Sequence, residues 1–147
     1  MFTRAVIAFL ALPGVVAFLV PGAWIGLAHL PLQWPAGMIP IILGTASLLW
    51  CVRDFYVAGK GTLAPWAPPQ ELVVVGLYRH SRNPMYVAVA LILLGWAVAF
   101  RSYGLLLYAL AVMAAFYLRV VFGEEPWLAR THGSAWQQYS RRVRRWL

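Results

Sequence analysis

A chain of 147 residues with 63% hydrophobic and only 11% charged side chains is not an ordinary water-soluble domain, in which about a quarter of residues are charged. The net charge of +8, from 12 basic and 4 acidic residues, lies mostly outside long apolar runs. That distribution points to cytoplasmic loops and anionic-lipid contact rather than nucleic-acid binding. The single cysteine, Cys51, excludes an internal disulfide and a cysteine-based metal site.

The first apolar run extends from about Ala5 to His29. Arg4 before it fits the start of a signal peptide. The run nevertheless continues past Pro13 and Pro21, which is long for a signal core and predicts a transmembrane helix, kinked or broken at the prolines. After the uncharged loop 31–35, a second span is predicted over 36–57. Arg53 and Asp54 fall in its last turns, where they either snorkel to the interface or line a polar pocket. The connector 59–83 is long, and its proline and tryptophan content predicts an ordered loop lying at the interface. A third span over 84–100, a tight turn at 101–104 and a fourth span over 105–122 come next. The tail, 123–147, repeats Leu128, Trp136, Tyr139, Val143 and Trp146 against a set of arginines, and Ser134–Gln137 has the form of a capping box. A new helix is therefore expected after Gly133, basic and amphipathic, resting on the membrane surface.

The fold expected is all-α: one integral membrane domain over 1–147, with about four transmembrane helices plus a cytoplasmic C-terminal amphipathic helix. Lys60, Arg79, Arg82 and the tail arginines fall on one side of such a bundle and Arg101 on the other. Both termini and the connector are thus expected in the cytoplasm, the membrane being the plasma (inner) membrane.

The polar chemistry concentrates in residues 76–86. Asn83-Pro84 reads as an N-cap followed by the first helical position, so the third span aims its positive end at Arg79, His80 and Arg82. An anion site is expected there. The segment 59–64 matches G-x-G-x-x-A but follows a membrane helix rather than a strand, so no dinucleotide fold is expected. The three histidines are scattered, and no metal site is expected. Glu124 and Glu125 supply two of the four acidic residues and stand on the same side as the arginines, with Arg119 or Arg82 in reach as ion-pair partner. Aromatic residues surround both clusters. The combination suits a ligand carrying a carboxylate, an amine or sulfonium, and an aromatic base; it also suits a lipid headgroup.

Gly76-Leu77-Tyr78, then Arg82-Asn83-Pro84-Met85-Tyr86, then Glu124-Glu125-x-x-Leu128 with Gly133, Tyr139 and Val143, resemble the signature of the isoprenylcysteine carboxyl methyltransferase and phospholipid methyltransferase superfamily. The resemblance spans about residues 50–147. It implies an integral membrane methyltransferase using S-adenosyl-L-methionine on a lipophilic acceptor: an isoprenylcysteine-like carboxylate, or a lipid amine or thiol. Carried onto this chain, cofactor contacts fall to Glu71, Leu72, Val73, Tyr78, Asn83, Pro84, Met85, Tyr86 and Glu124. Arg82 and Arg119 are placed toward the acceptor, and Glu125 is the residue to take a proton from an amine or thiol. Asn83 stands where the isoprenylcysteine enzymes usually carry His, and Trp136 where Tyr is common. Membrane lipids are the expected partners, with no nucleic acid. The competing readings are a non-catalytic membrane scaffold with a degenerate fold and a small transporter; the latter calls for polar residues in mid-span, of which spans three and four have almost none.

Overall fold

The computed structural model describes residues 10–60 and 70–147, and its regular structure is helical throughout. A π-helical run, Leu10–Leu19, passes into α1, Val20–Leu27. A single 3₁₀ turn, Pro35–Gly37, leads into α2, Met38–Val57. The connector contributes a 3₁₀ turn, Gly76–Arg79. Then come α3, Pro84–Ala99, and α4, Tyr103–Arg119. A π-helical turn, Val120–Glu124, joins α4 to α5, Glu125–His132, and Gly133 separates α5 from α6, Ser134–Arg142.

Among the described residues, two continuous helices are long and apolar enough to cross a membrane: Pro35–Val57, 23 residues, and Tyr103–His132, 30 residues. About 20 residues suffice for a ~30 Å hydrocarbon core. Their outer faces are covered with exposed Ile39, Ile42, Leu43, Leu49, Leu107, Leu110, Met113, Leu118 and Phe122. In water that much apolar surface is a liability; against lipid it is the expected exterior. The first and third apolar stretches form shorter helices, Leu12–Leu27 and Pro84–Ala99.

The first stretch runs without a break across Pro21, and side-chain donors explain how. Proline offers no N–H to the carbonyl four or five residues earlier, here Ala17 and Val16. Trp96 Nε1 donates to Ala17 O at 2.9 Å and Tyr108 Oη to Val16 O at 2.9 Å. Inside a bilayer, such substitution removes the large cost of unsatisfied carbonyls. The part of the expected span before residue 10 lies outside the described residues.

Helices α2 and α3 are the most closely packed pair. A Cβ on Gly44 would stand 2.7 Å from Ile92 Cγ1, and one on Gly95 2.6 Å from Ile41 Cγ1. Small residues let membrane helices approach until dispersion contacts accumulate. Ile41, Leu48, Ala88, Val89, Ile92 and Leu93 form the core there, closed by Ala17 and Ala109.

The fourth span differs from expectation. Helix does not stop near 122 but continues to His132, with its hydrogen-bond register widened at 120–124, where Glu125 N donates to Val120 O. Pro126 supplies the reason: without an N–H it cannot serve the carbonyl of Phe122 in an α-helical register, and the preceding turn widens.

Candidate active site

The connector is held against the end of α2 by a glycine. Gly76 has φ +57°, and a Cβ there would overlap Asp54 Oδ2 and lie 2.9 Å from Trp50 Nε1. Arg53 and Asp54, adjacent in sequence, part company. Arg53 reaches outward, while Asp54 is 4% exposed beneath the connector, with its Oδ1 3.4 Å from Arg53 Nη1. Val73 and Tyr78 pack on Cys51, and Phe55 lies 5.4 Å from the Tyr78 ring. Burial raises the Tyr78 phenol well above its ordinary range, so it stays neutral. At the other end of the connector, Gln70 N donates to Gly59 O at 2.9 Å, and Lys60 pairs with Glu71.

Asn83 does precede α3 with Pro84 in the first turn, but its side chain makes no cap. The carboxamide Nδ2 donates instead to Arg145 O at 2.9 Å, and Arg82 N donates to Arg144 O at 2.8 Å. Ser81 and Arg144 form a parallel bridge, and Tyr139 Oη donates to Tyr78 O at 2.7 Å. The expected cap residue and the backbone N–H before it thus hold the chain's own C-terminal carbonyls. The capping box is not formed either: Gly133 at φ +50° precedes α6, and Ser134 is its first helical residue. Helix α6 buries Trp136 and Tyr139 against residues 78–82, so these two do not face a membrane surface. Burial pushes the Tyr139 phenol up to about 12, with nearby Arg82 opposing.

The widened turn sets the two carboxylates on different tasks. Glu124 Oε1 accepts from the Tyr86 hydroxyl and from Arg119 Nε, the latter at 2.8 Å. Glu125 accepts from Arg145 through two bonds, Nε at 2.9 Å and Nη2 at 3.0 Å. Arg82 Nη1 lies 3.3 Å from Glu125 Oε1, and the Arg82 guanidinium sits 5.5 Å over the Trp136 ring. Arg82 Nε is buried with no hydrogen-bond partner among the described residues.

These elements border a partly open cavity of about 80 Å³. Of the residues expected to hold a cofactor, Glu71, Leu72, Val73, Tyr78, Asn83, Met85, Tyr86 and Glu124 line it, and so does Arg82. Pro84 is buried in the first turn of α3 and is not on the wall. Arg119 and Glu125 are not on the wall either. Arg119 is half exposed and holds Glu124 from behind, and both oxygens of Glu125 accept from Arg145.

Phe55, Leu128, His132, Trp136 and Tyr139 complete the lining and were not among the expected contacts. Leu128 and Tyr139 belong to the family-like motif of the tail, and the helical spacing of Trp136 and Tyr139 marked an apolar face. Phe55 and His132 carried no local signal. Among the described residues no cluster of His, Cys, Asp and Glu is able to hold a metal ion.

The wall thus combines, among the described residues, the carboxylates of Glu71 and Glu124, each bonded through one oxygen, the Arg82 guanidinium with its buried Nε unpaired, and aromatic and aliphatic side chains. No curated protein and no solved structure gives a significant match to the chain. A family model does: that of the phospholipid methyltransferases aligns with residues 32–135, from the second apolar segment to the start of α6, and the chain belongs to that family.

Proposed function

We propose that the protein is an integral membrane methyltransferase that binds S-adenosyl-L-methionine in this cavity and methylates a lipophilic acceptor entering from the bilayer. Family membership supports the coarse statement, a membrane methyltransferase acting on phospholipid-like substrates. The observation that carries the finer one is Arg82, a residue of the cavity wall whose buried Nε has no hydrogen-bond partner among the described residues. A buried unpaired donor costs about 1–3 kcal/mol, more for a charged group, which a ligand anion would recover.

The donor set fits the cofactor. Arg82 Nε takes a carboxylate, and the unoccupied oxygen of Glu124 takes an ammonium. The Tyr78 and Tyr86 rings offer faces to a cation. Leu72, Val73, Met85 and Leu128 supply apolar contact for a base, with Glu71 at the rim for hydroxyls. Asn83 contributes its carboxamide edge, while Pro84 sets the backbone beneath. When bound, the cofactor supplies an electrophilic methyl group on a sulfonium. The chain's own contribution is alignment and exclusion of water: α6 and the connector close over the site, and charged groups are placed in advance rather than reorganised during reaction. Arg119 and Glu125 act at one remove, Arg119 by fixing Glu124 and Glu125 by fixing Arg82 and Arg145.

In this reading four helices span the plasma membrane, with both termini and the cavity cytoplasmic. The test is transfer of labelled methyl groups to a lipid-soluble product in membranes. Wild-type protein is expected to label one, and Glu124→Gln to lower the yield about tenfold or more, since it weakens a charge-assisted contact. Equal labelling in membranes with and without the protein would overturn the catalytic reading and favour a scaffold.

A further inference from the structure

The chain has four Asp and Glu side chains, and each already faces a cation. Asp54 is buried beside Arg53, Glu71 pairs with Lys60, Glu124 with Arg119, and Glu125 with Arg82 and Arg145. Arg79, Arg141, Arg142 and Arg144 are exposed, stand in no ion pair among the described residues, and have no acidic side chain left to meet.

The fold gathers these four arginines. Ser81 bridges Arg144 in parallel, Arg82 N donates to Arg144 O, and Tyr139 Oη donates to Tyr78 O. The chain at 78–82 therefore runs beside 139–144, which sets Arg79 next to Arg142 and Arg144, with Arg141 adjoining. Trp136 and Tyr139 take up the buried side of α6, and the arginines take up its exposed side. Like charges held together repel, and an anion from outside the chain relieves that repulsion.

The surroundings decide which anion. Trp146, two residues from Arg144, stacks on Tyr117 of α4 at 6.4 Å between centroids and 27° between planes. Tyr117 and Leu118 belong to the exposed apolar face of a helix long enough to cross a membrane. Tryptophan and tyrosine near the end of such a helix mark the level of lipid headgroups. The rings of α6 are buried, so a single-stranded nucleic acid would find charge there without a stacking platform.

We infer that Arg79, Arg141, Arg142 and Arg144 form a docking surface for acidic phospholipid headgroups of the surrounding bilayer, outside the cavity. A zwitterionic headgroup brings its own cation and leaves the cluster unneutralised; a headgroup of net negative charge neutralises it. One arginine comes from the connector and three from the tail, so a docked headgroup bridges the two segments that flank the cavity.

The test places the whole protein in phosphatidylcholine bilayers with a trace of spin-labelled phosphatidylglycerol or spin-labelled phosphatidylcholine, and reads the fraction of label immobilised on the protein. Wild type is expected to hold phosphatidylglycerol about fivefold more strongly than phosphatidylcholine, the attraction of one surface arginine. Most of that preference is expected to vanish in about 1 M sodium chloride. The combined variant Arg79→Gln, Arg141→Gln, Arg142→Gln and Arg144→Gln is expected to hold both lipids equally, since only exposed side chains change and the backbone bonds of the tail stay. Arg101→Gln, in the turn between α3 and α4, is expected to keep the preference. Equal retention of both lipids by wild type, or a preference that survives in the combined variant, would overturn the inference. So would displacement of the labelled phosphatidylglycerol by inorganic phosphate beyond the effect of sodium chloride at equal ionic strength, which would make this a site for free anions. Displacement by a single-stranded oligonucleotide at lower concentration than phosphate would assign the surface to nucleic acid and overturn it too. The salt and displacement arms use wild type alone, so they decide the matter even if the combined variant fails to fold, and no arm depends on methyl transfer.

Discussion

At the scale of single residues, Gly76 and Tyr139 make separable demands. Gly76 combines a left-handed φ with contact to a buried carboxylate, so Gly76→Ala combines about 1–2 kcal/mol of backbone strain with a steric clash against Asp54. A lowered Tm in detergent is expected, together with a weaker grip on cofactor, because the displaced turn carries Tyr78 into the cavity. Tyr139 makes a prediction about alkali. Its phenol titrates near 12 when folded against an ordinary value of 10.0. Between those values the unfolded chain has released the proton and the folded one has kept it, so stability falls as pH rises through that window. Thermal unfolding measured from pH 9 to 12 is expected to show the decline, and Tyr139→Phe to flatten it. An unaltered slope in the variant would mean that burial of the Tyr139 phenol is not the source of the decline.

At the scale of elements, the widened turn at 120–124 matters most. Pro126→Ala restores an N–H to the ladder and is expected to return the turn to α-helical register. Removing the extra residue of a π turn rotates α5 by about 100° relative to α4, since an α-helix turns once in 3.6 residues. Glu124 would then lose Tyr86 and Arg119, and Glu125 would lose Arg82 and Arg145. The variant is expected to bind cofactor about tenfold or more weakly while remaining as stable as wild type or more so. Retained affinity would show that the register is incidental. The turn was not legible in the sequence because a proline near the end of an apolar run reads equally as the end of a helix. The bounds of α2 and α3 were legible, because Pro35 and Pro84 punctuate runs whose apolar character is otherwise unbroken.

At the scale of the whole molecule, the described helices and the charge distribution together predict which side of the membrane each turn occupies. Cys51 is fully buried, so the background to cysteine labelling is low. Tyr103→Cys and Gln138→Cys, both at exposed positions, are expected to react with a membrane-impermeant maleimide from opposite sides. Labelling of both from one side would contradict the four-span arrangement.

Much of the cavity wall could be read from local motifs around residues 71–86 and 124–128. How the tail closes it could not. Asn83 looks like a helix cap in sequence, yet its partner is the carbonyl of Arg145, 62 positions away. Trp136 and Tyr139 show the spacing of an amphipathic helix, which says that one face is apolar but not whether lipid or protein covers it. His132 entered the cavity for the same reason: only the folding of α5 and α6 over the connector brings it there.

Equilibrium binding of S-adenosyl-L-methionine to the purified protein in detergent addresses the central claim most directly, with Arg82→Ala as the comparison. Saturable binding by wild type, weakened in Arg82→Ala by about tenfold or more for the loss of a buried charge-assisted contact, is the predicted result. No binding by the wild-type protein would contradict it.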